Sequence, residues 1–447
     1  MTDRVAAPPT PHGDVPARPG VRAQTGITRG GAPRPTLRGG AVVGVGVALV
    51  ATGAVVPSPA LVFAGTTLVV LVVAVLVSLL FRRPLITVAR RFSPDRGMAG
   101  WSVDETVTLT APGGAAGRIG IRDDVGWRRT RASEAVGVTL VPGRASSAVF
   151  RHEGLPRGRH RVGPLHVDLI ESFGVARRRV VAPGSTELLV VPEVHDLGLG
   201  AESRALGDGA RRQREHSLAG GDDDPVTREY RRGDPMRRVH WKASARHDEL
   251  MVRQEEQHGL PSARLVLSTG VDGWSDARTG SDGSAVSDAF EWAVSVVATL
   301  GVEFGRSGSV AQATTPEGDV VARNDPDSTA SYLESLADLR LGDAGHRSAA
   351  PAAPREPVVA VVSGLRPREL ESLGRSRGVG SSAVALVVSP PLGFSETTAS
   401  RGGVTGAETL GPDRVAAALR DAGWRVVEVS SGDPVADVVL QARPLDD

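Results

Sequence analysis

The chain has 447 residues, with 52 Lys plus Arg against 51 Asp plus Glu, a formal net charge of +1 and a pI near 8.4. So even a balance gives no global basic field for nucleic acid and no acidic tail. There is no cysteine, which excludes disulfides, thiolate metal sites and a cysteine nucleophile.

Residues 1–38 are rich in Pro, Gly, Ala and Arg and lack apolar periodicity, so they read as a disordered tail. Residues 39–81 carry no charged side chain. One membrane span needs about 20 apolar residues, so this stretch is too long for one and right for two. Pro57 and Pro59 divide it into spans at 39–56 and 60–81, a membrane hairpin within residues 39–83. Gly40 and Gly44 stand at the spacing that lets membrane helices approach closely, and packing within the hairpin is their expected use. The long polar segment ahead of the first span argues against a signal peptide. Arg29, Arg34 and Arg38 precede the hairpin, and Arg82, Arg83, Arg90 and Arg91 follow it. Positive charge on both flanks predicts a multi-pass plasma-membrane protein with both termini and the soluble parts in the cytoplasm.

Residues 84–200 alternate short apolar runs (106–111, 118–121, 136–141, 187–191) with Gly, Pro and Asp, which predicts an antiparallel β-sandwich-like domain. Nothing in it looks catalytic. Residues 201–225, polar and ending in three consecutive Asp, read as a linker. Beyond residue 226 strands and helices alternate: strands at 264–268, 357–362, 383–388 and 424–429, and helices at 288–300, 367–373 and 413–422. In the first of these helices Phe290, Ala293, Val294, Val297 and Leu300 share one face. This pattern predicts an α/β domain over 226–435 with an open, mostly parallel sheet, and a tail at 436–447.

The densest motif is Arg228-x-Tyr230, Gly233-Asp234, Arg238-x2-Trp241-Lys242 and Ser244-x-Arg246, followed by a short apolar run at 250–252. Lys242 is the only lysine in the chain. Physically the segment is a helix start. Gly233 permits the turn, Asp234 can cap, and Pro235 sits where its missing N–H costs nothing. Arg238, Lys242 and Arg246 then fall four apart on one face, where like charges repel by a few tenths of a kcal/mol, so that face calls for an anion. An internal ion-pair network is one answer and a docking site for an acidic partner or a phosphate is the other, with Tyr230 and Trp241 as rigid anchors.

The motif resembles the signature of the family called domain of unknown function 58. Supporting matches lie at Arg157 to Pro164, at Asp168 with Phe173-Gly174, at Thr186 to Pro192 and at Phe290-Glu291. The resemblance implies two membrane helices, a β domain and a von Willebrand factor A-like α/β domain. It also implies company: MoxR-type AAA+ ATPases and transglutaminase-like membrane proteins. No settled activity comes with it.

A-type domains often hold a metal on Asp-x-Ser-x-Ser after the first strand. Here the loop reads Ser268-Thr269-Gly270-Val271-Asp272, which lacks the leading carboxylate that Mg²⁺ favours, so no metal is expected. His240, Asp234 and Ser244 lie close in sequence, but no Gly-x-Ser-x-Gly elbow surrounds Ser244, and no Walker A loop, zinc-binding helix or dinucleotide loop appears. The expectation is therefore no catalytic residue, no cofactor and no nucleic-acid partner: a membrane-anchored adaptor or scaffold working with a MoxR-type ATPase. A hydrolase around His240 and Ser244, or an anion- or nucleic-acid-binding face at Arg238, Lys242 and Arg246, are the alternatives.

Overall fold

The computed structural model describes residues 22–27, 29–81, 85–111, 117–127, 135–141, 143–171, 173–182, 184–197, 227–230, 239, 241, 244–245, 249–253, 262–280, 283–343, 347–348, 356–377, 381–390 and 409–442. They fall into two compact units, 1–191 and 192–447.

The first unit begins with three short strands, β1 (Arg22–Ile27), β2 (Arg29–Gly30) and β3 (Arg34–Pro35). Two helices follow, α1 (Leu37–Val55) and α2 (Pro59–Phe81), both long and apolar enough to cross a membrane. The expected spans agree with them to within two residues. Their contact face is not the one built on Gly40 and Gly44, which have nothing within 4 Å of an added Cβ. Gly46 and Gly53 of α1 meet α2 instead, where Gly65, Val72 and Leu79 are buried, and Gly39, seven residues before Gly46, is buried against Val175. A spacing of seven keeps one seam facing a partner at a shallow crossing angle, and a four-residue spacing taken from a different start rotates out of that seam. Gly46 and Gly65 sit so close that a Cβ on either would overlap the other's carbonyl region.

The rest of the unit is β: β4 (Leu85–Ser93), β5 (Gly97–Met98), β6 (Val103–Thr110), β7 (Gly117–Val125), β8 (Val136–Leu140), β9 (Ala145–His152), β10 (Gly158–Ile170), β11 (Ala176–Ala182) and β12 (Thr186–Val191). One sheet has the order β1-β4-β6-β9. In the other, β2 and β3 pair with β11, β11 and β12 with β10, and β5 with β12, while β7 joins β10 to β8. Alternate residues face inward, as β6 shows with every second residue buried. Ile86, Val88, Val107, Leu109 and Phe150 of the first sheet share a core with Ile119, Ile121, Leu165, Val167 and Val180 of the second. The expected sandwich is present, but two limits move. Residues 22–27, 29–30 and 34–35, read as part of an unstructured tail, are strands, because β4 and β11 supply the edge ladders that their own sequence does not signal. The β-rich part ends at Val191 rather than at residue 200, since Val194 and Leu197 pack on the core of the second unit.

The second unit opens with a hairpin of β13 (Thr227–Glu229) and β14 (Met251–Arg253). The expected linker at 201–225 lies outside the described residues. The main sheet then uses β15 (Ser262–Leu267), β18 (Val310–Thr314), β19 (Asp319–Asn324), β20 (Arg347–Ser348), β21 (Val358–Val362), β22 (Ala383–Ser389) and β23 (Arg425–Ser430), with a small ribbon of β16 (Arg278–Thr279) and β17 (Ala285–Val286) beside it. Its order is β20-β19-β18-β15-β21-β22-β23, parallel from β18 to β23 and antiparallel at β19 and β20. Among the described residues, the helices that cover it are α3 (Asp288–Arg306), α4 (Thr329–Asp338), α5 (Pro367–Arg375), α6 (Pro412–Asp421) and α7 (Val435–Ala442). Leu265, Leu267, Val359 and Val361 pack on one face against α3, α4 and α7. Val266, Val358, Ala360 and Val362 pack on the other against α5 and α6. The strands thus read as continuous apolar runs because both their faces are covered. The five residues expected on one face of α3 are all buried. Its first turn is capped by Ser287, whose hydroxyl accepts from Phe290 N at 3.0 Å, while the buried Asp276 accepts from Ala289 N at 2.9 Å. Residues 436–442, read as tail, belong to α7, which buries Val438, Val439 and Ala442 in the core; the helix is too short for its period to stand out in the sequence.

Candidate functional site

The signature segment is an excursion from one hairpin. Arg228 pairs with Val252 and Glu229 with Met251, and Tyr230 N donates to Leu250 O at 2.8 Å. Between these strands Trp241, Ser244 and Ala245 are helical. Ser244 Oγ accepts from Met251 N at 2.8 Å and lies 3.5 Å from Met251 O. The serine therefore fastens the helical segment to the strand. Val239 is buried and Tyr230 is half-buried, whereas Trp241 is 64% exposed. Gly233, Asp234, Arg238, His240, Lys242 and Arg246 lie outside the described residues, and with them the expected cap and the charged face. The Ser244 hydroxyl, on which the hydrolase alternative is built, is in contact with the Met251 backbone.

A second place to look is the carboxyl edge of the main sheet. In open α/β sheets ligands bind where neighbouring crossovers leave in opposite directions. Here that point is between β15 and β21. The loops after those strands meet there: Gly364 N donates to Gly273 O at 2.7 Å, and a Cβ on Gly273 would overlap Gly364 O. Thr269 Oγ1 donates to Asp343 O at 2.7 Å, and Trp274 Nε1 to Ser268 O at 3.2 Å. Ser268 itself is buried, and its hydroxyl has no hydrogen-bond partner among the described residues. Glu369, on the neighbouring α5, accepts from Arg366 N at 2.7 Å and from Arg366 Nε at 2.9 Å. No three His, Asp or Glu side chains come together as a metal-binding group among the described residues.

The third cluster lies inside the β domain and was not anticipated from the sequence. Arg90 on β4, Glu105 on β6, Asp123 on β7 and His152 on β9 are 2% exposed or less. Arg90 Nε and Nη2 donate to the two carboxylate oxygens of Asp123 at 2.9 and 3.2 Å, and Nε lies 3.2 Å from Glu105 Oε1. His152 Nε2 is 2.9 Å from Glu105 Oε2, and the Trp127 ring meets the His152 ring edge-on at 5.2 Å. Burial pushes the Asp123 carboxyl up to about 7, helped by the negative charge of Glu105 and opposed by Arg90. Glu105 is also raised, again by burial first. One guanidinium facing two carboxyls is neutral when they share one proton, which is what two upward shifts express. All four residues occupy inward positions of alternating strands: Arg90 falls between Val88 and Phe92, Glu105 between Val103 and Val107, and Asp123 between Ile121 and Val125. Strand alternation was the signal that could have found them. The closed position of the cluster makes it a structural bridge between the two sheets.

The chain thus joins an apolar helical hairpin and a β-sandwich in one unit to a doubly wound α/β sheet in the other. Residues 226–336 match the model of the family described as "Protein of unknown function DUF58". No curated protein matches the chain. Among solved structures, a CARDB domain from Pyrococcus furiosus with di-metal ions is 16% identical over 24% of this chain and 89% of its own, with a TM-score of 0.18. A β-glucosidase from Listeria innocua in complex with glucose is 15% identical over 24% of this chain and 16% of its own, with a TM-score of 0.17. An alkylpurine DNA glycosylase from Pseudomonas fluorescens bound to DNA is 14% identical over 23% of this chain and 29% of its own, with a TM-score of 0.15. Scores this low carry no argument about fold or function.

Proposed function

We propose that this protein is a non-enzymatic adaptor, anchored in the plasma membrane by α1 and α2 with both termini and its folded units in the cytoplasm, and that it docks an AAA+ ATPase of the MoxR type. The observation that carries the reading is Trp241. A tryptophan left 64% exposed, on a segment fixed to a strand through Ser244, has the features of an interface anchor: large apolar area, little rotamer freedom and a rigid base. The doubly wound sheet with an antiparallel strand at its edge supports a von Willebrand factor A-like character for the second unit. The resemblance to domain of unknown function 58 supports the choice of ATPase.

The full chain in detergent, incubated with a MoxR-type AAA+ ATPase from the same organism, tests the reading. Association with ATP or without it is expected, and Trp241→Ala should weaken it at least tenfold, in keeping with the about 2 kcal/mol or more of a hot-spot aromatic, without lowering the melting temperature. Absence of association in both nucleotide states sinks the partner assignment. Unchanged binding by Trp241→Ala moves the contact elsewhere.

A further inference from the structure

The ends of the two apolar helices do not dangle from the β domain; they are built into it. Thr36, the N-cap of α1, donates its N–H to Val175 O at 2.9 Å, and its hydroxyl bonds Gly174 O at 2.5 Å. Gly39 packs so tightly on Val175 that a Cβ there would overlap the Val175 carbonyl. At the other helix, the buried Arg178 of β11 donates to Leu79 O at 2.7 Å and Leu80 O at 3.1 Å, placing a cation on the last carbonyls of α2. β3 runs antiparallel to β11 toward α1, with Arg34 opposite Arg177 and Pro35 opposite Ala176. The 171–175 turn between β10 and β11 therefore lies beside the start of α1, at the end of the hairpin where α2 finishes.

That turn carries an exposed apolar tip. Phe173 is 71% exposed and Ile170 is 41% exposed. The tip is held rigid, since the Glu171 carboxylate accepts from Phe173 N at 2.7 Å and from Val175 N at 2.6 Å. Around it stand the exposed Arg34, Arg38 and Arg177, none with a carboxylate partner among the described residues. Arg34 and Arg177 face each other across a strand pair, an arrangement that is unfavourable unless an anion lies between them.

We infer that the 170–177 edge of the β domain is a membrane-contact surface, with Phe173 and Ile170 entering the headgroup region and Arg34, Arg38 and Arg177 meeting the phosphates of anionic lipids. The inference rests on the reading of α1 and α2 as a membrane anchor. Continuity with the helix ends identifies the occupant: whatever bilayer surrounds α1 at Leu37 is the surface nearest Phe173. An aromatic side chain ringed by arginine suits that interface, with apolar contact at headgroup depth and positive charge against anionic lipid.

The absence of cysteine makes a single-label experiment clean. The full chain is reconstituted in nanodiscs with an environment-sensitive fluorophore on Phe173→Cys, on Val73→Cys of α2, or on Val149→Cys on the outer face of β9. Val73 and Val149 are 51% and 55% exposed. In bilayers containing anionic lipid, the Phe173 label should be blue-shifted and quenched by lipids with a nitroxide near the headgroup, and the Val149 label should not. Replacing Arg34 and Arg177 with Gln should lower the ratio of embedded to exposed Phe173 label by roughly fivefold for each arginine. A Phe173 label that behaves like the Val149 label, while the Val73 label is quenched from deep in the bilayer, overturns the contact surface and leaves the anchor standing. Equal embedding in purely zwitterionic bilayers overturns the role of the arginines. A Val73 label that stays unquenched overturns the anchor, and the contact surface with it.

Discussion

Removing the guanidinium of Arg90 should be among the most costly single changes in this protein. Arg90→Met keeps the length of the side chain but leaves Asp123 and Glu105 facing each other in the sandwich core, where both are fully buried. Breaking a buried pair by removing one partner costs about 3–5 kcal/mol. For a unit of about this size each kcal/mol moves the melting temperature by about 2–4 °C, so the expected fall is roughly 6–20 °C. The measurement is a thermal melt of the full chain in detergent, followed by tryptophan fluorescence, with Trp127 against His152 as the local reporter. Combining Arg90→Met with Asp123→Leu and Glu105→Leu should recover most of the loss, because apolar replacement of a whole buried ionic group is often neutral or stabilising. A fall of less than about 2 °C for Arg90→Met, which is under about 1 kcal/mol, would refute the view that charge neutrality holds this bridge together.

The same cluster predicts a pH dependence. Asp123 titrates at about 7 when folded and near its ordinary 3.8 when unfolded, so the folded chain keeps a proton that the unfolded chain releases between these values. Its stabilising contribution is fully present below about pH 4 and is lost as pH rises through about 7. The melting temperature of the wild type minus that of Asp123→Asn should therefore shrink across this window, and a constant difference would contradict the assignment. Gly65→Val should force α1 and α2 apart at the Gly46 contact, read as loss of oxidative cross-linking between one cysteine introduced on each helix. Gly301→Ala drives a methyl into the Tyr332 hydroxyl, which donates to Val297 O at 2.8 Å, and should cost about 1–3 kcal/mol by overpacking; in a Tyr332→Phe background the cost should be smaller in denaturant titrations. Ser244→Ala should speed hydrogen exchange at Met251 N, whose acceptor it removes, and should cost about 1–3 kcal/mol locally.

How far the sequence speaks depends on how each residue is held. The uncharged run at 39–81 and the apolar strands of the second unit were legible because composition alone marks a run that is apolar on every side. The helical period of α3 was legible because nineteen residues repeat it. β2 and β3 are two residues long, and they exist only because β11 offers an edge. From Gly301 to residue 356 the sequence signals no element, although β18, β19 and α4 lie within it. Short polar strands such as Asp319–Asn324, paired antiparallel at a sheet edge, lack the apolar run that marks their parallel neighbours. Of the signature residues, Ser244 was singled out for its chemistry, yet its place is explained by a backbone amide seven residues away. The buried quartet was hidden for the opposite reason: its members are charged, and charge at an inward position is visible only after strand register is assigned.

The meeting of Gly273 and Gly364 has a consequence for how the two loops can change. Folds of this layout usually serve as vessels, with a mouth where the strand order turns around. Here two segments of main chain meet at that turning point: one loop's amide donates to the other's carbonyl, and even a methyl group would not fit at Gly273. The two loops are thus tied to each other by main chain, so that a side chain added at either glycine would be felt in both.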